Sequence, residues 1–118
     1  MQEKKNLMSD AQLEEVSELF GILSDASRLK LLRALMAKPL TVTELVEETD
    51  LKQGNVSKHL GVLLTARFVD RKKEGNFTRY SLADRRLYTL CDLMCARIAD
   101  DAEERIKKLG RGNAKLKF

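Results

Sequence analysis

The sequence predicts a mainly α-helical domain with a small β-hairpin, on three observations. Two short helical patterns flank a tight turn within residues 41–66. A pair of strands with a Gly-containing tip follows directly, over residues 67–82. Positive charge is concentrated here, because residues 52–80 carry seven Lys or Arg against two Asp or Glu. In this order the first helix can position the second, the second can enter a groove, and the cationic arm can contact phosphates. The order therefore favours binding of double-stranded DNA.

The first two helices are predicted from apolar residues at helical spacing. Asp10 is expected to cap the first helix, and Gly21 is expected to break it. Ser24-Asp25 is expected to begin the second helix, which Pro39, the single proline, ends. The apolar stripes are Leu13, Val16 and Phe20 in the first helix, and Leu29, Leu32, Leu35 and Met36 in the second.

The third and fourth helices form the predicted helix-turn-helix. Thr41 and Glu44 have the spacing of a capping box, which predicts a third helix of about two turns. A turn at 50–52 leads into a fourth helix, which is expected to run from near Gln53 to about Ala66. The apolar residues expected to bury this helix are Val56, Leu60, Leu64 and either Val62 or Leu63.

Polar side chains at the start of the fourth helix are the candidate DNA contacts. Gln53 and Asn55 can pair with adenine edges in a major groove about 12 Å wide, and Lys58 suits a phosphate. Gly54 would let the backbone approach closely. His59, the chain's one histidine, is interpreted as a DNA or core hydrogen-bonding residue rather than a metal ligand. The candidate set is Gln53, Asn55, Ser57, Lys58 and His59; the alternative is a solvated helix surface.

The predicted hairpin adds a second group of cations. Phe68-Val69 opens the first strand, Glu74-Gly75-Asn76 is the tip, and residues 77–82 return. Its cations can contact the DNA backbone with little sequence information. The candidates are Arg71, Lys72, Lys73 and Arg79.

A long final helix completes the predicted domain. Asp84 is expected to cap it, and its shared apolar face is Leu87, Leu90, Cys91, Met94, Ile98 and Ala102. Residues 1–9 are expected to be a flexible N-terminus, residues 10–109 one DNA-binding and dimerisation domain, and residues 110–118 a basic flexible tail.

Composition and motif content exclude other classes. No apolar run approaches the roughly 18 residues of a membrane span, and the first residues lack a secretion signal, so a cytoplasmic protein is expected. The sequence shows no nucleophile–base pair, phosphate loop or carboxylate pair that would indicate an enzyme, so an enzyme is not expected. The alternative from another class is a protein–protein adaptor on the same scaffold.

The upstream segment FGILSDASRLKLLRAL, the helix-turn-helix QGNVSKHLGVL and the hairpin FVDRKKEGNFTRYSL together resemble the ArsR-type winged helix-turn-helix repressors. The resemblance covers roughly residues 12–100. It implies the element order α1-α2-α3-α4-β1-β2-α5 and a homodimer built mainly from the first and last helices. It also implies an inverted-repeat operator and repression released by an inducer such as a metal ion or an oxidant.

The family's usual inducer sites do not carry over. Its arsenic sensors often place two cysteines at the start of the third helix, where Thr41 and Thr43 stand here. Its zinc sensors use an aspartate and histidines along the last helix, and no histidine follows Asp84. Its persulfide sensors place a cysteine in the second helix, which has none here.

Cys91 and Cys95 are the remaining candidates for sensing. They are four residues apart on one helical face, where Cβ atoms lie about 5–6 Å apart. A disulfide needs about 3.5–4.5 Å, so the pair suits a thiophilic metal ion better than an intrahelical disulfide. A dimer could bring four thiolates together or form disulfides between its subunits. The alternative is that both cysteines pack as small apolar residues with no sensing role.

Overall fold

The computed structural model describes residues 7–109 and residue 118. The flexible segments predicted for 1–9 and 110–118 therefore lie mostly outside the described residues. The chain divides into two compact units, Met1–Leu82 and Ala83–Phe118. The elements are α1 Asp10–Leu23, α2 Ala26–Ala37, β1 Leu40–Thr41, α3 Val42–Thr49, α4 Gln53–Thr65, β2 Val69–Glu74, β3 Phe77–Leu82 and α5 Arg86–Lys108.

The predicted fold class is confirmed, with one added strand. β1 pairs antiparallel with β3, in the register Leu40 with Tyr80 and Thr41 with Arg79, and the sheet order is β1-β3-β2. The hairpin strands are therefore β2 and β3. Two residues are too few to show the alternation that marks a strand in a sequence. The added strand fastens the hairpin to the start of the helix-turn-helix.

The start and end of α1 differ from the prediction. Ser9, not Asp10, caps the helix, and it forms a reciprocal capping box with Gln12. Gly21 lies inside the helix, which continues to Leu23. The Ser24 hydroxyl donates to the Gly21 carbonyl at 2.7 Å, and this bond satisfies a carbonyl of the last turn.

The core of the first unit is centred on leucines of the second, third and fourth helices. In α2, Asp25 is the N-cap as predicted, but the buried residues are Leu31, Leu32 and Leu35. Leu29 and Met36, predicted for this stripe, are only half-buried. In α4 the prediction holds for Val56, Leu60 and Leu63, whereas Val62 and Leu64 are half-buried. The side chains with no exposed surface are Leu31, Leu32, Leu45, Val56, Leu60 and Leu63.

The helix-turn-helix begins as predicted. Thr41 and Glu44 form the capping box of α3, with the Glu44 N–H 3.2 Å from the Thr41 hydroxyl. Asp50 ends α3 in the left-handed region at φ 59°, which Asp and Asn tolerate better than most residues. The chain therefore turns within three residues and enters α4 at Gln53.

The second unit consists mainly of α5. Asp84 lies two residues before the helix, and its carboxylate accepts the Arg86 backbone N–H at 3.0 Å. Asp84 thus contacts the helix start, but the predicted cap is wrong, because the N-cap residue is Arg85. Among the described residues, no helix is long and apolar enough to cross a membrane.

Candidate nucleic-acid interface

The exposed face of α4 carries most of the predicted reading residues. Val56, Leu60 and Leu63 have no exposed surface, and they fix one side of the helix in the core. The side chains turned away from that core are exposed, and a helix with this orientation can enter a major groove. The exposed set is Gln53, Gly54, Asn55, Ser57 and Lys58.

The first turn of α4 is open to an anion. Lys52 is the N-cap residue, and among the described residues its side chain makes no cap hydrogen bond. The first turn also carries no acidic residue. The first N–H groups of a helix lack intrahelical partners and bear partial positive charge, so a phosphate can accept from them. These free N–H groups lie in the same turn as Gln53 and Asn55.

His59 differs from its neighbours in α4. Its side chain is only 12% exposed, and Nδ1 lies 3.3 Å from Nη1 of Arg28 in α2. Nε2 lies 4.0 Å from the Asp25 carboxylate, which caps α2. The backbone N–H of Arg28 donates to Asp25 and holds the pKa of that carboxyl below its ordinary value. The structure therefore places His59 against α2, apart from the exposed candidate residues of α4.

The cations of the hairpin are divided between its two faces. In the β2–β3 register Arg71 lies opposite Tyr80, and Lys72 lies opposite Arg79. Because successive side chains of a strand point to opposite faces, Arg71 and Lys73 share the face of buried Tyr80, whereas Lys72 lies on the other face. All three cations are exposed. They can therefore contact phosphates on two sides of the hairpin.

Arg79, the fourth predicted cation, is held by protein groups. Its Nη1 donates to Oε1 of Glu44 at 3.1 Å, and its Nε donates to Oε1 of Glu74 at 3.0 Å. The Glu44 carboxylate also accepts the Thr41 backbone N–H at 2.8 Å. Arg79 therefore joins the hairpin to the capping box of α3. The sequence showed its charge but could not show these partners.

Acid should weaken the α3 capping box. The Thr41 backbone N–H, followed by the Thr41 hydroxyl and Arg79, holds the pKa of Glu44 below its ordinary value of 4.5. A carboxyl with a lowered folded pKa stabilises the fold above its unfolded pKa, and that stability is lost as pH falls through the folded pKa. Glu44→Gln keeps a capping-box residue but removes the titration. We expect the difference between the unfolding free energies of parent and variant to shrink as pH falls below about 4.5, measured by urea unfolding.

The control for this prediction is Glu47→Gln, which removes an exposed carboxylate from the same helix. Parallel stability curves for the parent and Glu44→Gln between neutral and acid pH would show that Glu44 carries no pH-dependent stability.

The cysteine pair lies on α5. Cys91 is 6% exposed, and Cys95 is half-buried. Burial, followed by the proximity of Cys95 and Asp92, raises the pKa of the Cys91 thiol above its ordinary value of 9.0. A raised thiol pKa lowers the thiolate fraction and slows oxidation. Among the described residues, no group of three His, Cys, Asp or Glu side chains could hold a metal ion.

The comparisons with known proteins agree with this geometry. The family described as "Bacterial regulatory protein, arsR family" matches residues 25–71. A probable mercury resistance operon repressor of Streptomyces lividans is 34% identical over 89 residues, covering 75% of this chain and 71% of that protein. A transcriptional repressor SmtB homolog of Synechocystis is also 34% identical over 89 residues, covering 75% of this chain and 67% of that protein.

Solved structures show the same fold. The antimony-specific transcriptional repressor AntR superposes with a TM-score of 0.72 at 31% identity, covering 84% of this chain and 89% of that chain. Rv0081 of Mycobacterium tuberculosis superposes with a TM-score of 0.75 at 27% identity, covering 83% of this chain and 99% of that chain. The predicted winged helix-turn-helix architecture is thereby confirmed. The chain therefore belongs to the ArsR family, whose members are DNA-binding transcriptional regulators and not enzymes.

Proposed function

We propose that the chain is a homodimeric, sequence-specific transcriptional repressor that acts in the cytoplasm and is released from its operator by a thiophilic inducer. The observation that carries the DNA-binding part is the exposed polar face of α4 beside an uncapped first turn. A protein–protein adaptor would not need a basic hairpin next to that face, and family membership also favours repression.

The α4 residues and the hairpin cations have separate roles in this proposal. Gln53 and Asn55 read base edges, because their amides can bond bidentately to adenine. The remaining exposed residues of the two elements contact phosphates or the nearest base edge, and they set affinity more than sequence preference. They are Ser57, Lys58, Arg71, Lys72 and Lys73.

Exposed apolar side chains on two helices support the homodimer. Within α1, whose residues are all described, none is fully buried, and Phe20 is 54% exposed. On α5, Leu93 is 60% exposed and Met94 is 57% exposed. These exposed apolar side chains of α1 and α5 are the surface proposed for the dimer. A homodimeric winged helix-turn-helix domain of Mycobacterium bovis has the same fold. Two-fold symmetry then requires an inverted-repeat operator with half-sites about one helical turn apart, roughly 34–36 Å.

Two glycines of α4 provide a matched test of the DNA-facing surface. A Cβ added at Gly54 or at Gly61 would meet no atom within 4 Å. Alanine at either position should raise or preserve stability, by up to about 1 kcal/mol at the mid-helix Gly61. We expect Gly54→Ala to weaken operator binding several-fold, because its methyl group lies at the end of α4 that approaches DNA. Gly61→Ala should leave operator binding unchanged.

The two glycine variants should be compared by chemical unfolding and by fluorescence anisotropy with an operator duplex. Equal operator affinity for Gly54→Ala and Gly61→Ala would show that the start of α4 does not approach DNA closely.

Cys91 and Cys95 are the proposed inducer site. They lie one turn apart on α5, and the arsenic-type positions of the family hold Thr41 and Thr43. Relatives are named for resistance to mercury, arsenicals and cadmium. Thiolate ligands select soft metal ions, so a soft metal ion is the inducer that this pair suits best. Two thiolates leave a tetrahedral ion with open positions, so in this proposal the two cysteines of each subunit act together in the dimer.

Serine substitution tests the cysteine proposal. Cys91→Ser and Cys95→Ser should bind the operator as the parent does, because neither cysteine lies on α4 or the hairpin. We expect both variants to lose release by soft metal ions, measured by operator binding with increasing metal concentration. Thr43→Ala is the control, because Thr43 is exposed and lies outside the cysteine pair. If the serine variants are released from the operator at the same metal concentration as the parent, Cys91 and Cys95 are not the inducer site.

A further inference from the structure

Arg28 lies where three helices of the first unit meet. Its Nε donates to the Ile22 carbonyl in the last turn of α1, at 2.6 Å. Its Nη1 donates to Nδ1 of His59 in α4, at 3.3 Å. Its backbone N–H donates to Oδ1 of Asp25, the N-cap of α2, at 3.0 Å. One guanidinium therefore connects the end of α1 to α4.

The contact assigns the tautomer of His59. A guanidinium only donates hydrogen bonds, so Nδ1 of His59 must accept from Arg28. In the neutral imidazole the ring proton then lies on Nε2, which is 4.0 Å from Oδ1 of Asp25. Both nitrogens thus face groups of α2 or its cap. With 12% of the side chain exposed, the ring offers little surface to a DNA groove.

We propose that Arg28 and His59 are positioning residues that hold the recognition helix α4 against the end of α1, and that operator binding depends on this contact. The inference rests on the proposed repressor function. It removes His59 from the direct DNA contacts and adds Arg28, which the sequence did not single out. Because α1 also carries exposed apolar residues proposed for the dimer, Arg28 links a dimer helix to the reading helix.

The experiment compares Arg28→Ala and Lys58→Ala with the parent, all as full chains without a polyhistidine tag. Operator affinity is measured against salt concentration. Arg28→Ala should weaken binding roughly tenfold or more, the scale of a lost charged hydrogen bond, with an unchanged salt slope. Lys58→Ala should lower that slope by about 1, as expected for a lost phosphate contact.

Nitrogen NMR of the chain's one histidine gives a signature that a general loss of structure cannot imitate. At neutral pH we expect an unprotonated Nδ1 in both the free and operator-bound parent. A proton on Nδ1, or a lowered salt slope for Arg28→Ala, would overturn the proposal. Failure of the parent to bind any duplex would instead overturn the repressor function, and the tautomer of the free protein would still test the Arg28 contact.

Discussion

Alanine at Gln53 or at Asn55 is expected to weaken operator binding by about 1–3 kcal/mol for each residue, the scale of one bidentate base contact. Both side chains are exposed at the start of α4, and the apolar face of that helix is fixed by fully buried Val56 and Leu60. Folding should therefore be unaffected, while the donors and acceptors offered to an adenine edge are lost. Titration of operator and random duplexes under the same salt conditions measures the effect.

The ratio of operator to random affinity decides the role of these two residues. A base-reading residue should reduce operator affinity and leave random-duplex affinity nearly unchanged. The matched variant is Lys58→Ala, which should weaken both duplexes to a similar extent because a phosphate contact carries no sequence information. If Asn55→Ala weakens both duplexes equally, Asn55 contacts the backbone and another residue must read the sequence.

Leu60→Ala is expected to destabilise the protein by about 2–5 kcal/mol, the range for a fully buried leucine that leaves a cavity. Leu60 has no exposed surface and packs in the core that orients α4. Since small domains are stable by only about 5–15 kcal/mol, this one change removes a large share of the total. Urea unfolding at a fixed protein concentration measures it, because dimerisation would make stability depend on concentration.

Leu64→Ala in the same helix is the control for this destabilisation. Leu64 is half-buried, so its truncation should cost clearly less than that of Leu60. If both variants lost the same free energy of unfolding, the face of α4 that packs in the core would differ from the one described.

Local patterns were enough to predict the helix-turn-helix. The capping box at Thr41 and Glu44 marked the start of α3, and the apolar spacing of Val56, Leu60 and Leu63 marked the buried side of α4. Each signal depends on residues three or four apart, so it can be read along the chain. β1 was missed because a strand of two residues has no period, and its pairing with β3 is a tertiary contact.

The partners of individual side chains could not be predicted in the same way. His59 contacts Arg28 across 31 positions of sequence, and Arg79 contacts Glu44 across 35. A sequence shows that Arg79 is charged and that His59 ends the polar start of α4, but it does not show what either side chain meets after folding. Because both side chains contact protein groups, the proposed function leaves them out of the set that contacts DNA.

Selection of binding sites from a randomised duplex pool tests the central claim most directly. If the exposed face of α4 reads DNA as part of a symmetric dimer, the parent should enrich an inverted repeat with half-sites about one helical turn apart. The enriched duplex should bind at least about a thousandfold more tightly than random duplex, with affinity that falls steeply as salt rises. Absence of binding to any duplex at low salt, or binding without enrichment of a sequence, would contradict the claim.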